Sequence, residues 1–178
     1  MKTKKNVSKS SIQFKDHPEF RPNLTPRQIF ELGSFGGTYW RPIYSDVTQK
    51  QYKNVHHENY PKSWLKGIPE SKLSMDWDNY DINVNKYKVK VGTTLEFWQE
   101  RDWINKLHPY GWVQWYCDFY YIYKDQNRNT SDDSRQIRRW RNLAGPNGRF
   151  RRRLINMVKE GKDSPAIRQT LQHWAFRL

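Results

Sequence analysis

Cysteine is almost missing from this sequence: Cys117 is the only one in 178 residues. An internal disulfide is impossible, which excludes a cross-linked secreted scaffold and points to an intracellular setting. No apolar run approaches the roughly 20 residues of a membrane-spanning helix. The first residues also lack the apolar segment of a secretory leader. Ala, Val and Leu are scarce, so an aliphatic core is not expected. Acids are few as well: 18 Asp and Glu face 32 Lys and Arg, giving a formal charge of +14. Such an excess costs self-repulsion in the folded state and usually serves an anionic partner. Nucleic acid is the commonest such partner, with an anionic membrane second; no membrane partner is expected here.

What the chain has in place of aliphatics is rings: 9 Trp, 11 Tyr and 8 Phe. These bury much area each, and their N–H and O–H groups want partners. A mean hydropathy of −1.10 places a large polar surface around that core. Disordered chains are depleted in aromatics, so disorder throughout is excluded. The expected fold is mainly α with a small β component (α+β), built of several short helices on an aromatic-rich core. It forms a single globular domain over 21–178 behind a basic flexible arm at 1–20, where Lys2, Lys4, Lys5 and Lys9 have nothing apolar to anchor them. That arm reads equally as a solvated terminus or as a phosphate-seeking segment.

Local signals place the elements. Thr25, Pro26 and Gln28 form the start of a helix with a capping box, and Gly33 can end it. Gly36 and Gly37 allow a turn or close packing, while Thr38-Tyr39-Trp40 favours a strand. No Gly-Lys-Ser/Thr follows, so this is not a phosphate loop. Residues 45–92 are hard to read, with one loose alternation from Asn83 to Val91 that suits a strand. Thr93 and Glu96 suggest a capping box for the next helix. Trp112 to Tyr123 contains strand formers, yet rings at spacings of three and four favour a helix. Thr130 with Asp133, or Ser131, caps a segment through Asn142 whose acidic first turn suits the helix dipole. Gly145-Pro146-Asn147-Gly148 makes a turn, a helix runs from about Arg149 to Glu160, and Ser164-Pro165 starts the last one.

The charge is local. Residues 128–178 hold 13 Lys and Arg against 4 acids, and the rest of the chain holds 19 against 14. On the first of these helices Ile137 and Trp140 face inward, while Arg135, Arg138, Arg139 and Arg141 fan outward. On the second, Leu154 and Val158 face inward, while Arg149, Arg152, Arg153 and Lys159 point away; Arg168 lies on the third. Arginine forks suit phosphates and guanine edges. Two modes are open. One helix can enter a DNA major groove in the helix-turn-helix manner, or Tyr39, Trp40, Trp112 and Trp115 can stack on unpaired bases.

Chemistry has weaker signals. No zinc site is expected from one cysteine and five scattered histidines, since the adjacent His56 and His57 point differently. Asp76, Asp78 and Asp81 lack the glycine and distant glutamate of a calcium loop. Asp132 and Asp133 are candidates to hold Mg²⁺ or act as general acid and base, in a nuclease or base-excision enzyme; capping and pairing with arginines is their plainer role. His173 is a candidate proton shuttle. No cofactor is expected beyond the Mg²⁺ of that enzymatic alternative, and a structural or packaging protein is the third reading.

Four segments carry a resemblance: 35–43 (FGGTYWRPI), 111–117 (GWVQWYC), 132–140 (DDSRQIRRW) and 164–174 (SPAIRQTLQHW). Together they resemble an uncharacterised family of algae, fungi and large DNA viruses. The resemblance spans roughly residues 20–178. It implies a nuclear, cytosolic or virion placement and supplies no catalytic residues.

Overall fold

The computed structural model describes residues 11–122 and 130–178. The lysines of the expected arm, at 2, 4, 5 and 9, fall outside that range. Residues 11–20, expected within the arm, are packed on the core. Phe14 and Phe20 insert into the core, and the Ile12 N–H donates to Pro22 O at 2.7 Å, so residues 11–20 are anchored.

Helices dominate, as composition predicts. α1 (Pro26–Leu32) begins with the expected capping box between Thr25 and Gln28, and Gly33 follows it at φ 97°. The only sheet among the described residues is a hairpin of β1 (Ile43–Ser45) and β2 (Lys50–Tyr52), antiparallel, with Tyr44 opposite Gln51. Short α2 (Val55–Glu58) and α3 (Leu95–Glu100) precede four longer helices. These are α4 (Trp112–Ile122), α5 (Thr130–Ala144), α6 (Arg149–Lys159) and α7 (Pro165–His173). Trp112–Ile122 is helical because the ring spacing of three and four puts one continuous face against the core. α5 starts where the described residues resume, so the capping expected of Thr130 lies outside them.

Three expectations fail for physical reasons. Thr38-Tyr39-Trp40 is not a strand: Tyr39 and Trp40 are both buried, whereas consecutive strand residues face opposite sides. Instead a 3₁₀ turn at Phe35–Gly37 leads through Gly36 (φ 59°) and Gly37 (φ 80°). A Cβ on Gly36 would overlap the Tyr80 ring, and one on Gly37 would overlap the Ser71 carbonyl. Residues 83–91 form turns rather than a strand, because they cross over the α1 end and pair only at single points, as in Lys86 N to Gly33 O at 3.0 Å. The α3 cap is Thr94, not Thr93; its hydroxyl accepts from Phe97 N.

Rings build the core. Phe20 meets Trp140, Tyr116, Phe119 and Trp112 edge-on, at centroid distances of 5.1, 5.7, 5.7 and 6.3 Å. Their polar atoms are mostly satisfied internally: Tyr116 Oη donates to Leu24 O at 2.7 Å and Trp140 Nε1 to Trp174 O at 2.8 Å. These bonds tie the segment before α1 to α4 and the residues after α7 to α5. Asn23 and Leu24 N–H groups both donate to Ala175 O. Truncating Phe20 to alanine removes four edge contacts at once; the expected loss is about 3–5 kcal/mol by denaturant unfolding, and a loss below about 1 kcal/mol would contradict this picture of the core.

Candidate functional site

The four acids of the C-terminal third are all engaged. Asp132 and Asp133 are buried in the first turn of α5. Asp133 Oδ1 accepts the Trp115 indole N–H at 2.8 Å. Asp132 is bracketed by Arg135 (2.9 Å) and His108 Nδ1 (3.2 Å). The other nitrogen of His108 lies 3.0 Å from Asp118 Oδ2, and Asp118 also accepts the Tyr60 hydroxyl at 2.6 Å. Burial opposes charge on His108, but the two carboxylates outweigh it and hold its pKa above the ordinary value. Burial likewise opposes ionisation of Asp132; His108 and Arg135 more than offset it and hold that carboxyl low. Of the plainer role expected of these aspartates, the pairing of Asp132 with Arg135 is present, whereas the described contact of Asp133 is with the Trp115 indole. Glu160 and Asp163, beyond the end of α6, pair with Lys162 (3.1 Å) and Arg168 (2.6 Å).

Arginines on the near side of α5 and α6 have no such partner among the described residues. Arg141, Arg149 and Arg151 line a groove of about 1040 Å³ together with Arg21 and Arg177. Glu19 is the one carboxylate side chain among its lining residues. The Asn23 side chain fixes the far wall, donating to Arg177 O and accepting from Arg177 N, both at 2.7 Å. Arg151 is half-buried with its guanidinium 4.3 Å from the Phe176 ring centroid, and burial pulls its pKa down.

The expected set of cations thus divides. Arg141 and Arg149 reach the groove; Arg138, Arg152, Arg153 and Lys159 are exposed elsewhere on α5 and α6; Arg135 and Arg168 are held by Asp132 and Asp163. Val158, expected inside, is 44% exposed because α6 ends just beyond it. Arg151, three residues before the buried Leu154, shows the inward face of α6 directly. Arg21 and Arg177 arrive through contacts across the whole chain, which no local pattern signals.

Beside the groove lies an aromatic cleft of about 610 Å³. Arg139 sits in it rather than fanning outward: its guanidinium is 5.4 Å from the Trp174 ring and 5.8 Å from Trp103, and it donates to Gln136 Oε1 at 2.8 Å. Burial and the neighbouring Arg135 lower its pKa to about 10, so it stays charged at neutral pH. Arg41 reaches over Trp77 at 5.1 Å. Tyr39 and Trp112 form part of the cleft lining, as does Phe35, whose ring stacks on His173 at 3.8 Å. Trp40 and Trp115, proposed as stacking partners from sequence, are 0% exposed and have no face left for a base. The exposed rings that line the cleft are instead Trp77 (37% exposed) and Trp103 (40%).

His173 is not poised as a proton shuttle. Its Nε2 accepts from Phe35 N (3.3 Å) and faces the Gln169 amide at 3.0 Å, which assigns the proton to Nδ1. Burial lowers its pKa to about 3, so the ring is neutral under ordinary conditions. His56 and His57, by contrast, converge although adjacent: both Nε2 atoms contact Glu70, His56 at 3.1 Å. Their three donor atoms lie within 4.8 Å of one another, a set whose chemistry suits a divalent transition metal.

Comparison with protein-family models, curated proteins and solved structures found no match to this chain. Among the described residues no helix is long and apolar enough to cross a membrane.

The buried histidine makes a pH prediction. Above pH 6.5 His173 is neutral folded and unfolded, and contributes no pH dependence. Below it, the unfolded chain takes a proton that the folded site refuses until about pH 3, so stability falls with acidification. In His173→Gln, which can still accept from Phe35 N, the acid-side decline between pH 6.5 and 4.5 should shrink by about 2 kcal/mol. Identical pH slopes by denaturant unfolding would contradict the assignment.

Proposed function

We propose that this protein binds nucleic acid, DNA foremost, by laying a phosphate backbone in the groove lined by Arg21, Arg141, Arg149, Arg151 and Arg177. The observation that carries this reading is the convergence of five arginines on one concave surface with a single lining carboxylate side chain. Neutralising phosphates there relieves the repulsion among the arginines and releases condensed counterions. Planar forks also take phosphate oxygens in pairs. The buried pairings of Asp132 and Asp133 favour a binding role over chemistry at those carboxylates. The family resemblance fits a nuclear, cytosolic or virion placement.

If each groove arginine contacts one phosphate, the logarithm of affinity should fall with the logarithm of salt at a slope of about −3.5 for single strands and about −4.5 for duplex. Arg141→Glu with Arg149→Glu should weaken binding more than a hundredfold. Arg152→Glu with Arg153→Glu makes the same charge change outside the groove and should cost less than tenfold. Fluorescence anisotropy with both variants separates local contact from general charge. A greater loss from the second pair would move the contact to the exposed face of α6, as in a helix read into a major groove. Salt-independent binding, or none, would overturn the proposal.

A further inference from the structure

The cleft and the groove are continuous: Arg149 and Asn142 belong to the walls of both. No Asp or Glu lines the cleft, yet three guanidiniums, those of Arg41, Arg139 and Arg149, stand around it. Each lies over a ring, on Trp77, Trp103 with Trp174, and Phe150 respectively. A wholly apolar ligand would leave those cations without an anion inside the cleft. A chain of carboxylates would leave the aromatic walls without a flat partner. A nucleotide satisfies both, since every base has a π-face and carries a phosphate on the same unit.

Hydrogen-bonding groups are also in place. The Asn142 amide makes no side-chain hydrogen bond among the described residues and stands at the shared rim. The tautomer of His173 set by Phe35 and Gln169 leaves its Nδ1–H as a donor without a partner in the described residues, on a ring that lines the cleft. The volume of about 610 Å³ falls within the usual range for small-ligand sites.

We infer that the cleft receives one unpaired nucleobase from the strand whose phosphates occupy the groove, stacking it on aromatic walls beside Arg139. This rests on the nucleic-acid reading and adds to it a substrate class: single-stranded or locally opened nucleic acid in place of an intact duplex. A paired base must first give up its pairing and stacking to enter a pocket, whereas a base in a single strand gives up only weak stacking to do so. Arg149 then acts at the junction, between the backbone in the groove and the base in the cleft.

The test compares two probes that share a phosphate and differ in the base: dAMP and deoxyribose 5-phosphate, titrated calorimetrically into the full chain at low salt. A twelve-nucleotide single strand titrated alongside reports on the groove. dAMP should bind about tenfold to a hundredfold more tightly than the sugar phosphate. Two variants should erase that difference: Trp103→Ala, at a ring already 40% exposed, and Thr170→Trp, which fills the cleft from α7. Thermal unfolding of each variant checks that the fold is kept, and either alone suffices. Arg177→Glu, in the groove and outside the cleft, should weaken the strand and leave dAMP unchanged. Equal affinity for the two small probes, with strand binding intact, would overturn the base pocket while the groove reading survives. A strand that fails to bind would overturn the groove reading and this inference with it.

Discussion

Two aspartates that face inward set the character of this molecule. Asp132 and Asp133 open α5, a helix with four arginines, where carboxylates would ordinarily sit in solvent and screen the arginines behind them. Instead they are drawn into the core by His108, Arg135 and the Trp115 indole. Charges buried this way repay their desolvation only when every lone pair is used, and here an imidazole bridging two carboxylates provides that closure. The pairing fastens α5 to α4 and to the loop at His108. It also keeps the negative charge of both aspartates, one of them paired with Arg135, away from the face that Arg141, Arg149 and Arg151 share.

The aromatic core serves the surface in a related way. Rings with polar edges must be satisfied from the backbone, and these bonds run between distant segments. Tyr39 Oη donates to Tyr110 O at 2.8 Å and accepts from Gln114 N at 2.9 Å, which sets one wall of the cleft against the start of α4. Tyr116 fastens α4 to Leu24 before α1, and Trp140 fastens α5 to Trp174 after α7. A core of this type spends its large side chains as both filling and fasteners. The rings that remain at the edge, Trp77 and Trp103, are then left to face the cleft mouth with arginines over them.

Sequence alone made the class of fold legible, because capping residues and three-four spacing are local. Thr25 with Gln28, Ser164 with Pro165, and the ring ladder of α4 could each be read from a few neighbours. The basic third was legible as composition, and Arg141 and Arg149 as outward positions on helices. The groove itself was not, since Arg21 and Arg177 meet α5 and α6 through contacts between distant segments, such as the pairing of Asn23 with Arg177. Arg139 misled because Trp103 and Trp174, which enclose it, come from separate parts of the chain. The inward turn of Asp132 depended on His108, 24 residues earlier, which carried no pattern of its own.

The account stands on a particular cluster of guanidiniums meeting phosphate, so the most direct measurement follows each arginine side chain separately. In ¹⁵N-labelled protein the Nε–Hε resonances can be assigned by single substitutions and followed as a short single strand is added. The resonances of Arg21, Arg141, Arg149, Arg151 and Arg177 should shift together and saturate at one stoichiometry, while those of Arg152, Arg153 and Arg168 stay in place. Shifts spread evenly over all arginines, or confined to the outer face of α6, would contradict the groove.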